Sequence, residues 1–190
     1  MATPHHVVAI AGSLRKESFT LKIANALAKL APATLKLEVI TPHGISFFNQ
    51  DLEAAPPADW LAFRDKLQKS HGVLFVTPEY NRSIPGVLKN AIDWMSRAAP
   101  GEPPLAAFEH KFAALMSASP GALGGARGLV VLRMLLGNIK VLVLPGQCSL
   151  AKAHEAFGPN GQLVDPKLQA QALGVGAELA RMLLALQSAR

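Results

Sequence analysis

The sequence predicts an α/β fold: a doubly wound sheet of five parallel strands in the order 2-1-3-4-5, carried by one domain over residues 1–190. Three observations lead there. Short, continuously apolar runs such as Val7–Ala11 and Gly72–Val76 read as strands buried on both faces. Stretches with apolar residues at helical spacing separate those runs. The alternation recurs along the whole chain, and crossovers of that length join parallel neighbours rather than hairpins. In this order the sheet grows in opposite directions from strand 1, which opens a crevice for a ligand at the carboxyl ends of strands 1 and 3. A chain of 190 residues buries about 70% of its unfolded surface around a single core.

Val7–Ala11 is the first strand and runs straight into the loop Gly12-Ser13-Leu14-Arg15-Lys16-Glu17-Ser18-Phe19-Thr20. A helix follows from Ser18 or Phe19 to Leu30, with Leu21, Ala24, Leu27, Ala28 and Ala31 on its apolar side, and Pro32 ends it. Leu35–Ile40 alternates apolar and polar residues and reads as a strand nearer an edge. Residues 41–56 form a loop containing Phe47 and Phe48, and Asp59–Lys69 is a helix whose Trp60 and Phe63 belong to the core. Gly72–Val76 is the third strand. Pro85 takes the first position of the next helix, in which Leu88, Ala91, Ile92 and Met95 share one face. Lys111–Ser117 is the fourth strand, Ala126–Leu136 a helix and Lys140–Leu144 the fifth strand. Gln147–Leu163 reads as irregular, with a turn at Gly158-Pro159-Asn160-Gly161. Asp165 caps the last helix and Pro166 starts it; Leu168, Ala172, Val175, Leu179, Met182, Leu183 and Leu186 line its apolar face.

Three loops at strand carboxyl ends carry the chemistry. The first places Ser13, Ser18 and Thr20 hydroxyls and the Arg15 guanidinium beside the free N–H groups and positive dipole end of a helix, around Phe19. That is the composition of an anion site; read blandly, Ser18 or Thr20 is a helix cap and Arg15 a solvated side chain. The second, Thr77-Pro78-Glu79-Tyr80-Asn81-Arg82-Ser83, offers a stiff turn, a flat ring and several polar groups. The third, Ser117 to Gly125, has Ser119 and Gly121 and is glycine-rich enough for backbone to approach a flat ring or a phosphate. Rival phosphate motifs are missing: no G-x-G-x-x-G follows the first strand, and the chain contains no G-x-x-x-x-G-K-[ST]. Ser13 does not sit in a G-x-S-x-G elbow, which argues against a hydrolase nucleophile.

Half the residues are hydrophobic and 17% charged, which excludes long disorder. Nineteen basic against thirteen acidic residues give a net +6, but Lys and Arg are scattered rather than blocked as in a nucleic-acid tail. A small anionic ligand is the simpler partner. The single cysteine, Cys148, forbids an intrachain disulfide and stands in apolar surroundings, so it reads as an inert, packed thiol. His5, His6, His43, His71, His110 and His154 lack metal-ligand spacing, and the His5-His6 pair reads as surface. No apolar run approaches a membrane span, and the N-terminal stretch lacks a basic leader, so the expected location is the cytoplasm.

The first two loops, in this order and each after an apolar strand, resemble the signatures of the NADPH-dependent FMN reductase family, flavodoxin-like flavoproteins that include quinone and chromate reductases. That family has GSLR-x-x-S-x-N after its first strand; here Thr20 stands in the position of the Asn. The resemblance implies FMN as cofactor, with its phosphate at Ser13, Arg15, Ser18, Phe19 and Thr20. Its ring would lie against Pro78, Glu79, Tyr80 and Asn81, with Ser117, Ser119 and Gly121 in the third loop. It implies NADPH or NADH as co-substrate, hydride passing to flavin N5, and a quinone, flavin, azo or chromate acceptor. No catalytic acid or base is needed. Arg15 and Arg82 are candidates for a 2′-phosphate contact. A homodimer or homotetramer is expected, with Arg97, Phe47-Phe48 and Arg127 as candidate contacts. A second reading stays open from the residues: a flavodoxin-like one-electron carrier that binds FMN and ignores NADPH, disfavoured by the basic charge.

Overall fold

A computed structural model describes residues 3–188. Strands β1 (His5–Ala11), β2 (Leu35–Ile40), β3 (Gly72–Thr77), β4 (Phe112–Ala118) and β5 (Leu142–Leu150) form one sheet in the order β2-β1-β3-β4-β5. Every neighbouring pair is parallel, with Val7 beside Gly72 and Gly72 beside Phe112. Helices α1 (Phe19–Leu30), α2 (Ala58–Lys69), α3 (Gly86–Met95), α4 (Ala126–Asn138) and α5 (Pro166–Ser188) cover it, and a 3-10 turn spans Gln50–Leu52.

The core is two layers divided by the sheet. Ile23, Ala24 and Leu27 of α1 and Ala172, Val175, Leu179 and Leu183 of α5 bury one face, against Val7, Ala9, Leu74 and Met116. Trp60, Phe63 and Leu67 of α2, Leu88, Ile92 and Trp94 of α3 and Leu129 and Leu132 of α4 bury the other, against Val8, Ile10, Phe75 and Leu115. Each large side chain so buried stabilises the fold by roughly 1.5–3 kcal/mol. This explains why β1, β3 and β4 read as unbroken apolar runs: both faces are covered. Arg64, on α2, is buried with them and donates to the Met95 and Arg97 carbonyls at 3.0 Å, which closes the carboxyl end of α3. Its second partner is Glu102, also at 3.0 Å.

Three expectations need correction. The fifth strand runs from Leu142 to Leu150, well past the expected Leu144, and so absorbs the first part of the segment read as irregular. Between Val143 and Gln147 it advances four residues while β4 advances two, from Ala113 to Leu115. Pro145 sits in that bulge on an edge strand, where its missing N–H costs little. Arg133 donates to the Leu144 carbonyl at 2.8 Å and to the Gln147 side chain at 3.0 Å, holding the bulge in place. Pro85 is the cap before α3 rather than its first residue, and its carbonyl accepts from Leu88 and Lys89. His5 is buried, edge-on to His71 with ring centroids 5.3 Å apart, and the His6 N–H donates to His71 Nδ1, so the pair is part of the sheet's lower end.

At that end Lys111 donates to the Gln68 and Ser70 carbonyls, at the close of α2. Burial pushes its ammonium down to about 8. The unfolded chain holds that proton up to about 10.5, so between pH 8 and 10.5 the unfolded state carries more protons and stability rises with pH. Urea unfolding of wild type and Lys111→Met at several pH values checks this. The difference is expected to move in favour of wild type by about 1–2 kcal/mol from pH 8 to 10, the full 1.36 kcal/mol per unit being discounted for partial exposure. A pH-independent difference contradicts it.

Candidate functional site

The carboxyl ends of β1, β3 and β4 open into two adjoining cavities. The first, about 240 Å³, is lined by the loop after β1 and by Pro78, Glu79, Tyr80, Ala118, Ser119 and Pro120. The second, about 370 Å³, lies between residues 79–82 and 119–127. Glu79 and Ser119 line both.

The first loop is tied to the sheet at its start. Gly12 donates to the Val76 carbonyl at 2.8 Å, and a Cβ on Gly12 would lie 2.9 Å from Leu88 Cδ2, so α3 packs where a side chain would be. The Ser18 N–H closes the turn onto the Arg15 carbonyl at 3.0 Å, and its hydroxyl caps α1 by accepting from Leu21. Ser18 and Thr20 hydroxyls lie 2.7 Å apart and are buried, as is Ser13. Ser18 is therefore inside the fold and is the helix cap of the bland reading as well as a lining residue of the cavity. Thr20 supplies a hydroxyl where the family has an amide. Arg15 lies over the Phe19 ring, 5.0 Å from its centroid, and Phe19 stacks on Phe157, so the guanidinium is held at the cavity wall.

The second loop contains a hairpin turn. Asn81 and Arg82 both have positive φ, 51° and 63°, and Tyr80 and Ser83 exchange two backbone hydrogen bonds of 3.0 Å, the geometry of a type I′ turn. Asn at its centre was the one local signal; Arg82 is no turn former. Glu79 turns away from this tip toward α4. Its carboxylate accepts from Arg127 Nε at 2.8 Å and Nη2 at 2.7 Å, and from the N–H groups of Arg127 and Gly128 at 3.1 and 3.3 Å. The side chain is 8% exposed. Nothing in the sequence pairs these residues, because Glu79 lies on the loop after β3 and Arg127 and Gly128 on the first turn of α4 after β4, and they meet only when β3 and β4 align.

In the third loop, Ser119 donates to the Leu150 carbonyl at 3.0 Å, and Gly124 and Gly125 have φ of 59° and 87°. Ser117 lines neither cavity: it is fully buried beneath Gly125 and its hydroxyl bonds Ser149 at 3.0 Å. Asn81 and Gly121 line the second cavity, and the remaining expected residues, Ser13, Arg15, Ser18, Phe19, Thr20, Pro78, Glu79, Tyr80 and Ser119, line the first. Leu123 to Gly125 line the second cavity as part of the expected third loop, and Arg127, expected only as a subunit contact, joins them there.

The donor set suits a dianionic phosphate. Three hydroxyl residues, Ser13, Ser18 and Thr20, line the cavity at the start of α1 beside the Arg15 guanidinium, and the amino end of a helix favours an anion. The only carboxylate lining it, Glu79, is already neutralised by Arg127. Among the described residues no cluster of His, Cys, Asp and Glu is placed to hold a metal, and no helix is long and apolar enough to cross a membrane. Cys148 is buried, which pushes its thiol pKa up.

Fold and site define a flavodoxin-like α/β protein with a hydroxyl- and arginine-lined cleft at its strand reversal. The chain belongs to the NADPH-dependent FMN reductase family, which matches residues 5–155, and is an oxidoreductase working with FMN and NAD(P)H. It is 43% identical over 176 residues to a quinone reductase of Pseudomonas putida, covering 90% of this chain and 92% of that one. An NAD(P)H-dependent FMN reductase of Pseudomonas aeruginosa is 38% identical over 164 residues, covering 85% of each. The flavoenzyme NAD(P)H:(acceptor) oxidoreductase FerB of Paracoccus denitrificans superposes with a TM-score of 0.85 at 31% identity, over 95% of this chain and 98% of that one.

The glycines of the third loop give a direct check on its packing. A Cβ on Gly124 would lie 2.7 Å from the backbone of Leu150 and Ala151, whereas Gly44, also at positive φ, has nothing within 4 Å. Both Ala variants carry the left-handed penalty of about 1–2 kcal/mol. Gly124→Ala is expected to lose at least about 2 kcal/mol more than Gly44→Ala in urea unfolding, because backbone must move. Equal losses would contradict the contact.

Proposed function

We propose that the protein is an NAD(P)H-dependent quinone reductase whose whole chain works as one FMN-binding unit, with the phosphate at the start of α1 and the ring across the second and third loops. The observation that carries this reading is the Arg15, Ser13, Ser18 and Thr20 cradle opening directly into the cavity walled by Pro78 to Tyr80 and Ser119. FMN held there would supply the two-electron chemistry that links a nicotinamide donor to the acceptor. The protein's own residues bind and orient. Arg15, stacked on Phe19, meets the phosphate with a charge-assisted bond; Arg82, at the tip of the hairpin turn and lining the second cavity, is the contact for a 2′-phosphate. Tyr80, half exposed on the rim, screens the acceptor's approach. The named relatives favour quinones, and an open ring face also admits flavin, azo compounds or chromate.

A homodimer at least is the proposed working form. Val130 and Met134, one turn apart on α4, are 67% and 70% exposed, an apolar pair suited to a second copy. The cytoplasm is the proposed setting, consistent with a lone, buried cysteine.

Binding titrations with FMN and riboflavin, which lacks the phosphate, separate these roles. Arg15→Ala is expected to raise the Kd for FMN roughly tenfold or more, as loss of a charge-assisted bond of about 1.5–3 kcal/mol implies, and to leave riboflavin nearly unaffected. Arg82→Ala should keep FMN affinity and narrow the kcat/KM preference for NADPH over NADH. Equal effects of Arg15→Ala on FMN and riboflavin would contradict the cradle.

A further inference from the structure

Glu79 and Arg127 join the two loops that wall the cleft, and we infer that this ion pair sets both the spacing of those walls and the charge balance beside the flavin, so that Glu79 is a positioning and redox-tuning residue. The inference rests on the FMN reading above.

The geometry is that of a clamp. Glu79 immediately precedes the hairpin turn at Tyr80–Ser83, and its carboxylate takes four donors from α4: two from the Arg127 guanidinium and two from the first-turn backbone. The approach is close, tightest at Gly128 against the Ser83 carbonyl and in ordinary contact at Glu79. A Cβ on Gly128 would lie 3.3 Å from the Ser83 carbonyl and 3.5 Å from Glu79 Cβ, and one on Gly125 would lie 3.6 Å from Glu79 Cβ. The second loop thus rests on the amino end of α4 through Glu79, and any loosening widens the cleft.

The charges matter as much as the contact. Glu79 lines both cavities and Arg127 the second, so the pair stands at their junction. Arg127 and the positive end of α4 are balanced there by one carboxylate that is almost wholly removed from water. A matched pair exerts a small field at the cleft. Removing one partner leaves the other uncompensated, where charges are screened far less than in water. Bound flavin gains negative charge on reduction, so an unbalanced Arg127 favours the reduced form and an unbalanced Glu79 the oxidised form.

The test measures the midpoint potential of bound FMN, by anaerobic equilibration with a reference dye, together with the Kd for FMN. Glu79→Gln keeps the shape and loses the charge; its potential is expected to rise, and that of Arg127→Met to fall. Each shift should be roughly tenfold in the oxidised-to-reduced ratio, which reads as about 30 mV for a two-electron couple. Arg127→Lys retains the charge and loses the planar fork, so its potential should stay near wild type while FMN binding weakens. Opposite signs for the first two variants support the inference, since mere loosening of the loops would shift both the same way. FMN-loaded variants with shifts of one sign, or with wild-type potentials, overturn it. Wild-type protein that binds no FMN overturns the underlying reading and this inference with it.

Discussion

The structure depends on the divergence of the sheet around β1, with β2 on one side and β3 on the other. Because all five strands are parallel, every connection must cross over the sheet, and crossovers from β1 to β2 and from β2 to β3 cover opposite faces. α1 therefore lies with α5, and α2 with α3 and α4. The loops leaving β1 and β3 are thrown apart at the carboxyl edge, and the gap between them cannot be filled by either helix layer. The first loop, the hairpin turn and the third loop are ways of lining that gap.

Lining it demands unusual backbone. Gly12 donates across to β3, Asn81 and Arg82 hold positive φ, and Gly124 lies against the end of β5 where no side chain fits. Such positions cost free energy locally and persist because the two apolar layers beneath them are closely built. Buried hydroxyls complete the arrangement. Ser18 and Thr20 bond each other and the helix start, while Ser117 and Ser149 tie β4 to β5 below the third loop. In each case a side chain that would look at home in solvent is part of the fold.

That pattern explains what was legible in the sequence. β2 and α1 were readable to the residue, since an alternating run and a helical face bounded by Ser18 and Pro32 are local signals. The strand order followed from alternation and crossover length, and both loop motifs led to one cleft. The end of β5 was hidden by Pro145 and Gly146, which punctuate a chain in general but are tolerated on an edge strand with a bulge. His5 looked polar and terminal, yet it pairs with His71 across the sheet. Ser117 looked like a ligand because it ends a strand, but Gly125 packs over it and its hydroxyl is taken by Ser149, so Ala118 and Ser119 line the cavity instead. Glu79 was visible as a charged loop residue and Arg127 as a charged residue at the start of a helix; their union is tertiary and has no local signature.

The account's central claim is that this cleft holds FMN in a position where a nicotinamide reduces it. An anaerobic titration of FMN-loaded, desalted protein with NADPH, followed by the visible absorbance of the flavin, tests that claim most directly. Complete bleaching in a single two-electron step, at one NADPH per flavin, is the predicted result. Flavin that stays bound yet remains oxidised in excess NADPH and NADH, or that is lost on desalting and does not rebind, would contradict it.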